Sequence, residues 1–182
     1  MKPSTKEKIY IIVILLLIAF SAQIYYSFRY LPANQIQVYY NQDHALNDEI
    51  ISEIRNADEF VYFSVYTFTR ADIQQALLAA KYRGIKVMGF TDHDQYNNLD
   101  IQKKLIDELR NNGITVYIPS HSGIMHQKIL VTDKAYASGS YNWTAAATNL
   151  NDEVLEVGHD QNVRQNYQNI LEEMFEKYGQ NN

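Results

Sequence analysis

The sequence HQKILVTDKAYASGSYN occupies residues 126–142 and sets polar or small residues at fixed intervals among apolar ones. In an extended segment, side chains two residues apart lie on the same face, so Lys128 is predicted to point where His126 points. Histidine can act both as a nucleophile and as a proton carrier near neutral pH, since its ordinary pKa is about 6.5. A lysine beside it favours an anionic substrate such as a phosphate. The stretch therefore predicts a histidine nucleophile next to a fixed cation.

Three further residues extend this pattern toward the C-terminus. Ser140 and Asn142 repeat the two-residue spacing and supply neutral hydrogen-bond donors on one face. Glu153 is expected to accept a hydrogen bond from an imidazole N–H, which fixes the tautomer of the ring and raises its basicity. We therefore expect Ser140, Asn142 and Glu153 to lie with His126 in one site.

Taken together, HxKxxxxD followed by GSxN resembles the HKD signature of the phospholipase D superfamily. The similarity extends to residues 64–69 and 81–87, so it covers nearly all of the chain after its first thirty residues. One departure is the spacing between Asp133 and Gly139, which is five residues here and one residue longer in many members. We expect the missing residue to shorten a turn between two strands and to leave the chemistry in place if the strands keep their register.

The resemblance implies a mechanism and a set of site residues. His126 would form a phosphohistidine, while a second motif histidine would act first as an acid and then as a base for water. Because the chain has a single motif, that histidine would come from another copy in a homodimer with a shared active site. Two Lys128 ammonium groups would replace a metal ion, and no metal or cofactor is expected. The implied catalytic residues are His126, Lys128, Asp133, Ser140, Asn142 and Glu153, of which Lys128, Ser140 and Asn142 would also bind substrate.

Two candidate residues have alternative roles. Asp133 lies seven residues after His126, an odd interval that turns its side chain to the other face of an alternating strand. A structural role in the following turn is therefore at least as well supported as catalysis. His121 lies between two serines in a predicted loop before the motif, where it either contacts substrate or is an ordinary loop residue.

The tripeptide Asp92-His93-Asp94 follows a predicted strand and contains side chains that can bind metal ions. Three adjacent loop residues do not easily converge on one ion. We therefore favour a solvated turn or the rim of a substrate groove over a metal site.

The N-terminus is apolar and the rest of the chain is acidic. Residues 9–20 are almost continuously apolar, and extension to residue 28 gives about twenty residues, enough to cross a bilayer. Residues 1–29 are predicted to be an uncleaved signal anchor, with a cleaved signal peptide or a buried helix as alternatives. Flanking lysines place the catalytic domain, residues 30–182, outside the cytoplasmic membrane, or in the periplasm or exterior if the segment is cleaved.

Composition excludes some chemistry. The chain has no cysteine, which excludes disulfides, cysteine-ligated zinc and thiol catalysis. The first eight residues hold three of the 16 basic and one of the 21 acidic residues, so 13 basic and 20 acidic residues remain. This balance argues against a broad surface that coats nucleic acid, but not against a local cationic cleft.

Hydrophobic periodicity predicts strands alternating with helices. The predicted fold class is α/β, a phospholipase D-like mixed β-sheet flanked by helices on both faces, with one HKD half-unit per chain. Strands are predicted at 36–40, 60–69, 85–91, 114–118, 128–132, 136–138 and 154–157, and helices at 46–57, 70–83, 101–111, 143–147 and 163–178.

The function expected from these features is phosphodiester hydrolysis, most simply by a metal-independent endonuclease acting on DNA or RNA, as in the small exported bacterial endonucleases that the chain resembles. A phospholipase D acting on membrane phospholipid or cardiolipin is the alternative, and the expected membrane location favours it. An inactive dimeric scaffold that binds nucleic acid or lipid is a third possibility. The acidic surface weakens the first reading, and the short chain leaves little sequence for an acyl-chain pocket.

Overall fold

A computed structural model describes residues 5–29, 36–42 and 45–179. The chain forms two compact units, Met1–Gln35 and Ile36–Asn182. The predicted boundary between the anchor and the catalytic domain, between residues 29 and 30, lies at the edge of the described residues. Residues 1–4, 30–35, 43–44 and 180–182 lie outside them.

The N-terminal unit contains a single described helix, α1, at Thr5–Arg29. Within it, Thr5–Ile24 has a mean hydropathy of 2.0 and is long and apolar enough to cross a membrane. A secretory signal meets the same test of length and composition, so this helix agrees with either an anchor or a signal.

The second unit is built on one seven-stranded mixed sheet. Its strands are β1 at Ile36–Tyr40, β2 at Phe60–Val65, β3 at Lys86–Thr91, β4 at Thr115–Tyr117, β5 at Lys128–Thr132, β6 at Tyr136–Gly139 and β7 at Val154–Gly158. They lie in the order β1-β7-β6-β5-β2-β3-β4. The pairs β2–β3 and β3–β4 are parallel, and the other four pairs are antiparallel. The two central strands, β2 and β5, are therefore antiparallel neighbours.

Helices cover both faces of this sheet. They are α2 at Leu46–Asn56, α3 at Ala71–Tyr82, α4 at His93–Asn98, α5 at Asp100–Asn111, α6 at Ala145–Asn149 and α7 at Gln161–Gly179. The strand β2 contributes side chains to the apolar layers on both faces of the sheet, because its side chains alternate between the faces. Val61, Phe63 and Val65 pack with α2, α3 and α5, whereas Tyr62 packs with residues of α7. The α/β fold class, with a mixed sheet between helices, is confirmed.

The structure differs from the sequence prediction at the end of β2. The strand ends at Val65 rather than at residue 69, because the chain then leaves β3 to bond other segments. Tyr66 N donates to Gln127 O at 3.0 Å, and Thr67 O accepts from Trp143 N at 3.1 Å. The segment after β2 therefore joins the start of β5 to the residue after Asn142.

The turn between β5 and β6 accommodates the short spacing of the motif. Thr132 N donates to Ala135 O at 2.8 Å, and the Thr132 hydroxyl accepts from the N–H groups of Lys134 and Ala135. Beyond this tight turn, Val131 pairs with Tyr136 and Ile129 with Ser138. The two strands therefore keep a regular register across the shorter turn.

Candidate active site

His126 lies two residues before the first residue of β5, next to the end of β2. Its side chain is exposed, and one edge of its ring contacts the Tyr66 ring, with 4.8 Å between ring centroids. The backbone around it is fixed by the bond from Tyr66 N to Gln127 O. The imidazole is thus held at the surface on a rigid backbone, which suits a nucleophile that must meet a large substrate.

Lys128 is the first residue of β5 and pairs with Val65. Its Nζ donates to the carbonyl oxygen of His126 at 2.8 Å and lies 5.2 Å from the centroid of the Tyr66 ring. Burial of the ammonium lowers the pKa of Lys128, and the charge of Glu153 partly opposes this shift. Since an ammonium has three donors, two remain for an anionic ligand after the bond to His126.

Ser140 and Glu153 form a hydrogen-bonded pair beside this cation. The Ser140 hydroxyl donates to Glu153 Oε2 and accepts from Val154 N at 3.2 Å. Asn151 Nδ2 donates to Glu153 Oε1 at 2.9 Å, and Asn41 Oδ1 accepts from the backbone N–H of Glu153. The described contacts of the Glu153 carboxylate thus go to Ser140 and Asn151, rather than to an imidazole within the same chain.

Asn142 is oriented by the segment that follows β2. Its Oδ1 accepts from the backbone N–H of Thr67 at 3.2 Å. Because the oxygen and nitrogen of an amide lie on opposite sides of Cγ, this bond leaves Nδ2 pointing away from Thr67 as a donor. The side chain can therefore present a neutral N–H to a phosphate oxygen.

The glycine of the GSxN sequence has a steric reason. A Cβ built on Gly139 would collide with the backbone carbonyl oxygen of Val154 on the paired strand β7. Glycine here allows β6 and β7 to approach closely, and this approach brings Ser140 to Glu153.

Asp133 and His121 are not brought to this group by described contacts. Asp133 follows the far end of β5, roughly 20 Å from His126 at about 3.3 Å per residue. Its Oδ1 accepts from the N–H groups of Asp58 and Glu59 at 3.0 and 3.1 Å. Burial acts to raise the pKa of Asp133, but these N–H donors outweigh it and lower the pKa. The Asp133 side chain therefore stabilises the turn between α2 and β2, and no described contact supports its catalytic assignment.

His121 lies in the loop between β4 and β5. Its side chain is exposed, and Nδ1 accepts from the backbone N–H of Gly123 at 3.1 Å. This contact stabilises the loop that leads to His126. A substrate-binding role for His121 stays a prediction.

Asp92-His93-Asp94 forms the start of α4 rather than a solvated turn. Asp92 is buried and caps this helix, while His93 Nδ1 lies 3.0 Å from Asp94 Oδ1 at the surface. Within the described ranges, no group of three or more His, Cys, Asp or Glu side chains is arranged to hold a metal ion. The expectation of a solvated turn is wrong for Asp92, since its carboxylate is occupied by backbone N–H groups.

Sequence reasoning missed several residues that shape the site. Tyr66 has no assigned role in the sequence analysis, yet it contacts both His126 and Lys128. Asn41 and Asn151 had no pattern that linked them to Glu153, since they are near it only in the folded chain. The signal available for Tyr66 was its position at the end of β2, which antiparallel pairing places beside the start of β5.

Comparisons with known proteins agree with this geometry. The family described as "Cardiolipin synthase, PLD-like domain" matches residues 50–175. A phospholipase D of Rickettsia conorii is 34% identical over 119 residues, which are 65% of this chain and 58% of that protein. A mitochondrial cardiolipin hydrolase of Xenopus tropicalis is 33% identical over 115 residues, covering 63% of this chain and 53% of that protein. These matches span less than two thirds of each relative's length.

A solved structure supports the same assignment. The phospholipase D family member Nuc from Salmonella typhimurium superposes with a TM-score of 0.70 at 26% identity, over 76% of this chain and 91% of that chain. The family match extends from α2 to α7 and includes the whole HKD sequence. With its fold and more than half of its length in agreement, the chain belongs to the phospholipase D superfamily, as a member with a PLD-like domain.

Proposed function

We propose that the chain is a phosphodiesterase that works through a phosphohistidine at His126, and that it is a metal-independent endonuclease acting on DNA or RNA. The single observation on which this rests is the exposed imidazole of His126, together with the Lys128 ammonium, which donates to the backbone carbonyl oxygen of His126. A nucleophile and a cation at one open edge of the sheet suit attack on a phosphate in a long polymer.

In the proposed reaction, an imidazole nitrogen of His126 attacks phosphorus and the bond to the leaving oxygen breaks. Lys128 and Asn142 bind the non-bridging oxygens, where negative charge increases in the transition state. A second histidine donates a proton to the leaving oxygen and then takes a proton from the water that cleaves the phosphohistidine. The products are an alcohol and a phosphate monoester, and the imidazole is regenerated.

The second histidine is proposed to be His126 of another copy in a homodimer. A two-fold axis near the site would place both copies of His126 and Lys128 around one phosphate. Exposed apolar side chains close to the site residues support a partner at this edge. Ile124 is 54% exposed, Leu150 is 79% exposed and Val154 is 48% exposed.

Nucleic acid is favoured as the substrate by the character of the site. The described ring contacts of His126 and Lys128 go to Tyr66, an aromatic side chain of the kind on which a base can stack. The site is local, which agrees with an otherwise acidic domain that binds nucleic acid at one cleft only.

Phospholipid or cardiolipin is the second candidate substrate. The apolar helix α1 favours it, because an anchored enzyme would meet lipid phosphodiesters at the membrane surface. The names of the relatives in Rickettsia and Xenopus point the same way. In either case we propose that α1 anchors the chain in the cytoplasmic membrane with the catalytic domain outside, or that the chain is exported if α1 is cleaved.

The test is turnover by the full chain in detergent, with single-stranded DNA, double-stranded DNA, RNA and cardiolipin vesicles as substrates and EDTA in excess. Cleavage of nucleic acid in EDTA, absent from His126→Asn, supports the proposal. Turnover of lipid alone would replace the nuclease with a phospholipase. Binding without turnover of any substrate, unchanged in His126→Asn, would indicate the inactive scaffold.

The oligomeric state needs its own measurement. Exchanging subunits between wild type and an excess of His126→Asn should lower the activity per wild-type chain, because each mixed dimer lacks one of the two histidines that the shared site needs. Activity that stays proportional to the amount of wild-type chain in mixtures that exchange subunits would contradict the shared site.

A further inference from the structure

The turn before α4 holds a buried carboxylate that the proposed mechanism does not use. Asp92 is 3% exposed, and its Oδ1 accepts from the backbone N–H groups of Asp94 and Gln95, both at 3.0 Å. Its Oδ2 accepts from the backbone N–H of Met125 at 2.9 Å. Because buried N–H groups without partners cost free energy, these three bonds make a rigid junction. The junction ties the start of α4 to the residue before His126.

The backbone on both sides of His126 is fixed in this way. Met125 is buried, bonded to Asp92 through its N–H and contacted at its sulfur by the Ser64 hydroxyl at 2.9 Å. On the other side, the Gln127 carbonyl accepts from Tyr66 N. Both neighbours of His126 are therefore held by hydrogen bonds, and Asp92 provides one of them.

Gln95, in the first turn of α4, makes a second connection. Its Nε2 donates to the Tyr66 hydroxyl at 3.1 Å, and its Oε1 accepts from the Thr67 hydroxyl at 3.1 Å. Tyr66 packs against His126, and the backbone N–H of Thr67 holds Asn142. Gln95 thereby links the segment at the nucleophile to the segment at the neutral donor.

We propose that Asp92 and Gln95 are positioning residues that set the placement of His126 and Asn142 relative to the reacting phosphate. The inference rests on the proposed function for its catalytic consequence, while the positioning itself concerns only contacts within the chain. Neither residue needs to touch substrate. A displacement of reacting groups by about 1 Å lowers rates strongly, so loss of these bonds should reduce kcat more than binding.

The first test is the kinetics of Gln95→Met in the full chain, with Asp92→Asn as a second variant. Methionine keeps the size of Gln95 but removes both hydrogen bonds, and we expect kcat to fall by about 10- to 100-fold with KM within about twofold. Binding of uncleaved substrate, measured in the His126→Asn background, should be unchanged by Gln95→Met.

Two matched controls come from α7. Gln168 is half-buried and also donates one hydrogen bond and accepts another, to Glu172 and from Arg164. Asp160 caps α7 by accepting from two backbone N–H groups, as Asp92 does for α4. Gln168→Met and Asp160→Asn should leave kcat within about twofold, since neither contacts the segments that hold the site.

The second test does not depend on turnover. The imidazole C–H signals of the five histidines are recorded by NMR, with His126 assigned from the His126→Asn spectrum. We expect the His126 signal to move in Gln95→Met and in Asp92→Asn, and to stay in Gln168→Met.

The outcomes separate the two proposals. If the wild-type chain cleaves no phosphodiester but the His126 signal still moves in Gln95→Met, the proposed function is removed and the positioning stays in place. An unmoved His126 signal, or equal kcat loss in Gln95→Met and Gln168→Met, would overturn the positioning. A kcat loss that only follows global unfolding, seen as a matching loss of circular dichroism, would overturn it as well.

Discussion

The two ends of strand β5 belong to one sequence motif and differ in almost every physical respect. At the first end, His126 is exposed and the Lys128 ammonium has donors to spare after its bond to a backbone carbonyl. At the other end, the Asp133 carboxylate accepts from two backbone N–H groups and the Thr132 hydroxyl from two more. The first end keeps hydrogen-bond donors available for a ligand, whereas the acceptors at the other end are bonded to backbone N–H groups of the fold.

The difference teaches that the residues of one motif can meet two different requirements, one for binding a ligand and one for the stability of the fold. Under the proposed function, the first residues of the motif supply chemistry, whereas its last residue, Asp133, bonds the backbone of Asp58 and Glu59 just before β2. Substitutions should therefore separate into those that remove activity and those that remove stability. Four predictions test this division.

The largest effect is expected from His126→Asn. Loss of the nucleophile should lower kcat by on the order of 10⁴-fold or more, because no other group in the site can form the covalent intermediate. The melting temperature should change little, since the side chain is exposed. The measurement is single-turnover cleavage beside thermal unfolding, and residual activity above about a tenth of wild type would remove His126 from the role of nucleophile.

A smaller loss is expected from Lys128→Ala. Removal of the ammonium should reduce kcat/KM by on the order of 10²-fold, as loss of one transition-state charge contact does. Lys128→Arg is the matched control, because it keeps the charge and should recover part of the rate. Equal activity in Lys128→Ala and wild type would place the phosphate elsewhere.

The pH dependence should respond to Glu153. Burial lowers the pKa of Lys128 and Glu153 acts to raise it, so a neutral side chain at position 153 should lower the pKa further. Because only the protonated lysine stabilises the phosphate, the alkaline fall in kcat/KM should begin at a lower pH in Glu153→Gln. Glu156→Gln on the opposite face of β7 is the control, and an alkaline limb that stays in place or moves upward would contradict the prediction.

The smallest change in activity is expected from Asp133→Ala. Loss of the acceptor for two N–H groups that water can partly reach should reduce the free energy of unfolding by about 1 kcal/mol, with kcat within about threefold. The folded state lowers the pKa of Asp133, so its stabilisation is present above the ordinary pKa of about 3.9 and is lost as pH falls through the lowered value.

Chemical denaturation at neutral pH and below pH 4 measures this term. The stability difference between wild type and Asp133→Ala should shrink on acidification. A large loss of kcat in a stably folded Asp133→Ala would return Asp133 to the catalytic group and break the comparison between the two ends of β5.

Much of the fold could be predicted from the sequence, since periodicity reflects burial. The strand predicted from residue 60 sends alternate side chains into the two layers of the core, and the turn after Asp133 keeps the register of β5 and β6. Prediction failed where the chain leaves regular structure. Residues 66–69 have the composition of a strand, but their backbone groups bond residues 127 and 143, which are distant in sequence.

The candidate site shows the same limit. The residue types and spacing were sufficient to place His126, Lys128, Ser140 and Asn142 near one edge of the sheet. They were not sufficient to identify Tyr66 as a neighbour of the nucleophile or to bury Asp92, because both follow from contacts between separate segments. For Glu153, the sequence suggested an imidazole partner, and the folded chain supplies Ser140 and Asn151.

The tight turn between β5 and β6 has a practical consequence. It lies at the end of β5 away from His126, and its residue Lys134 is exposed. A fluorophore, an affinity tag or a crosslinker attached there would move with β5 and lie away from His126. The position therefore offers an attachment point for following single molecules on nucleic acid or on a vesicle while the candidate site stays open.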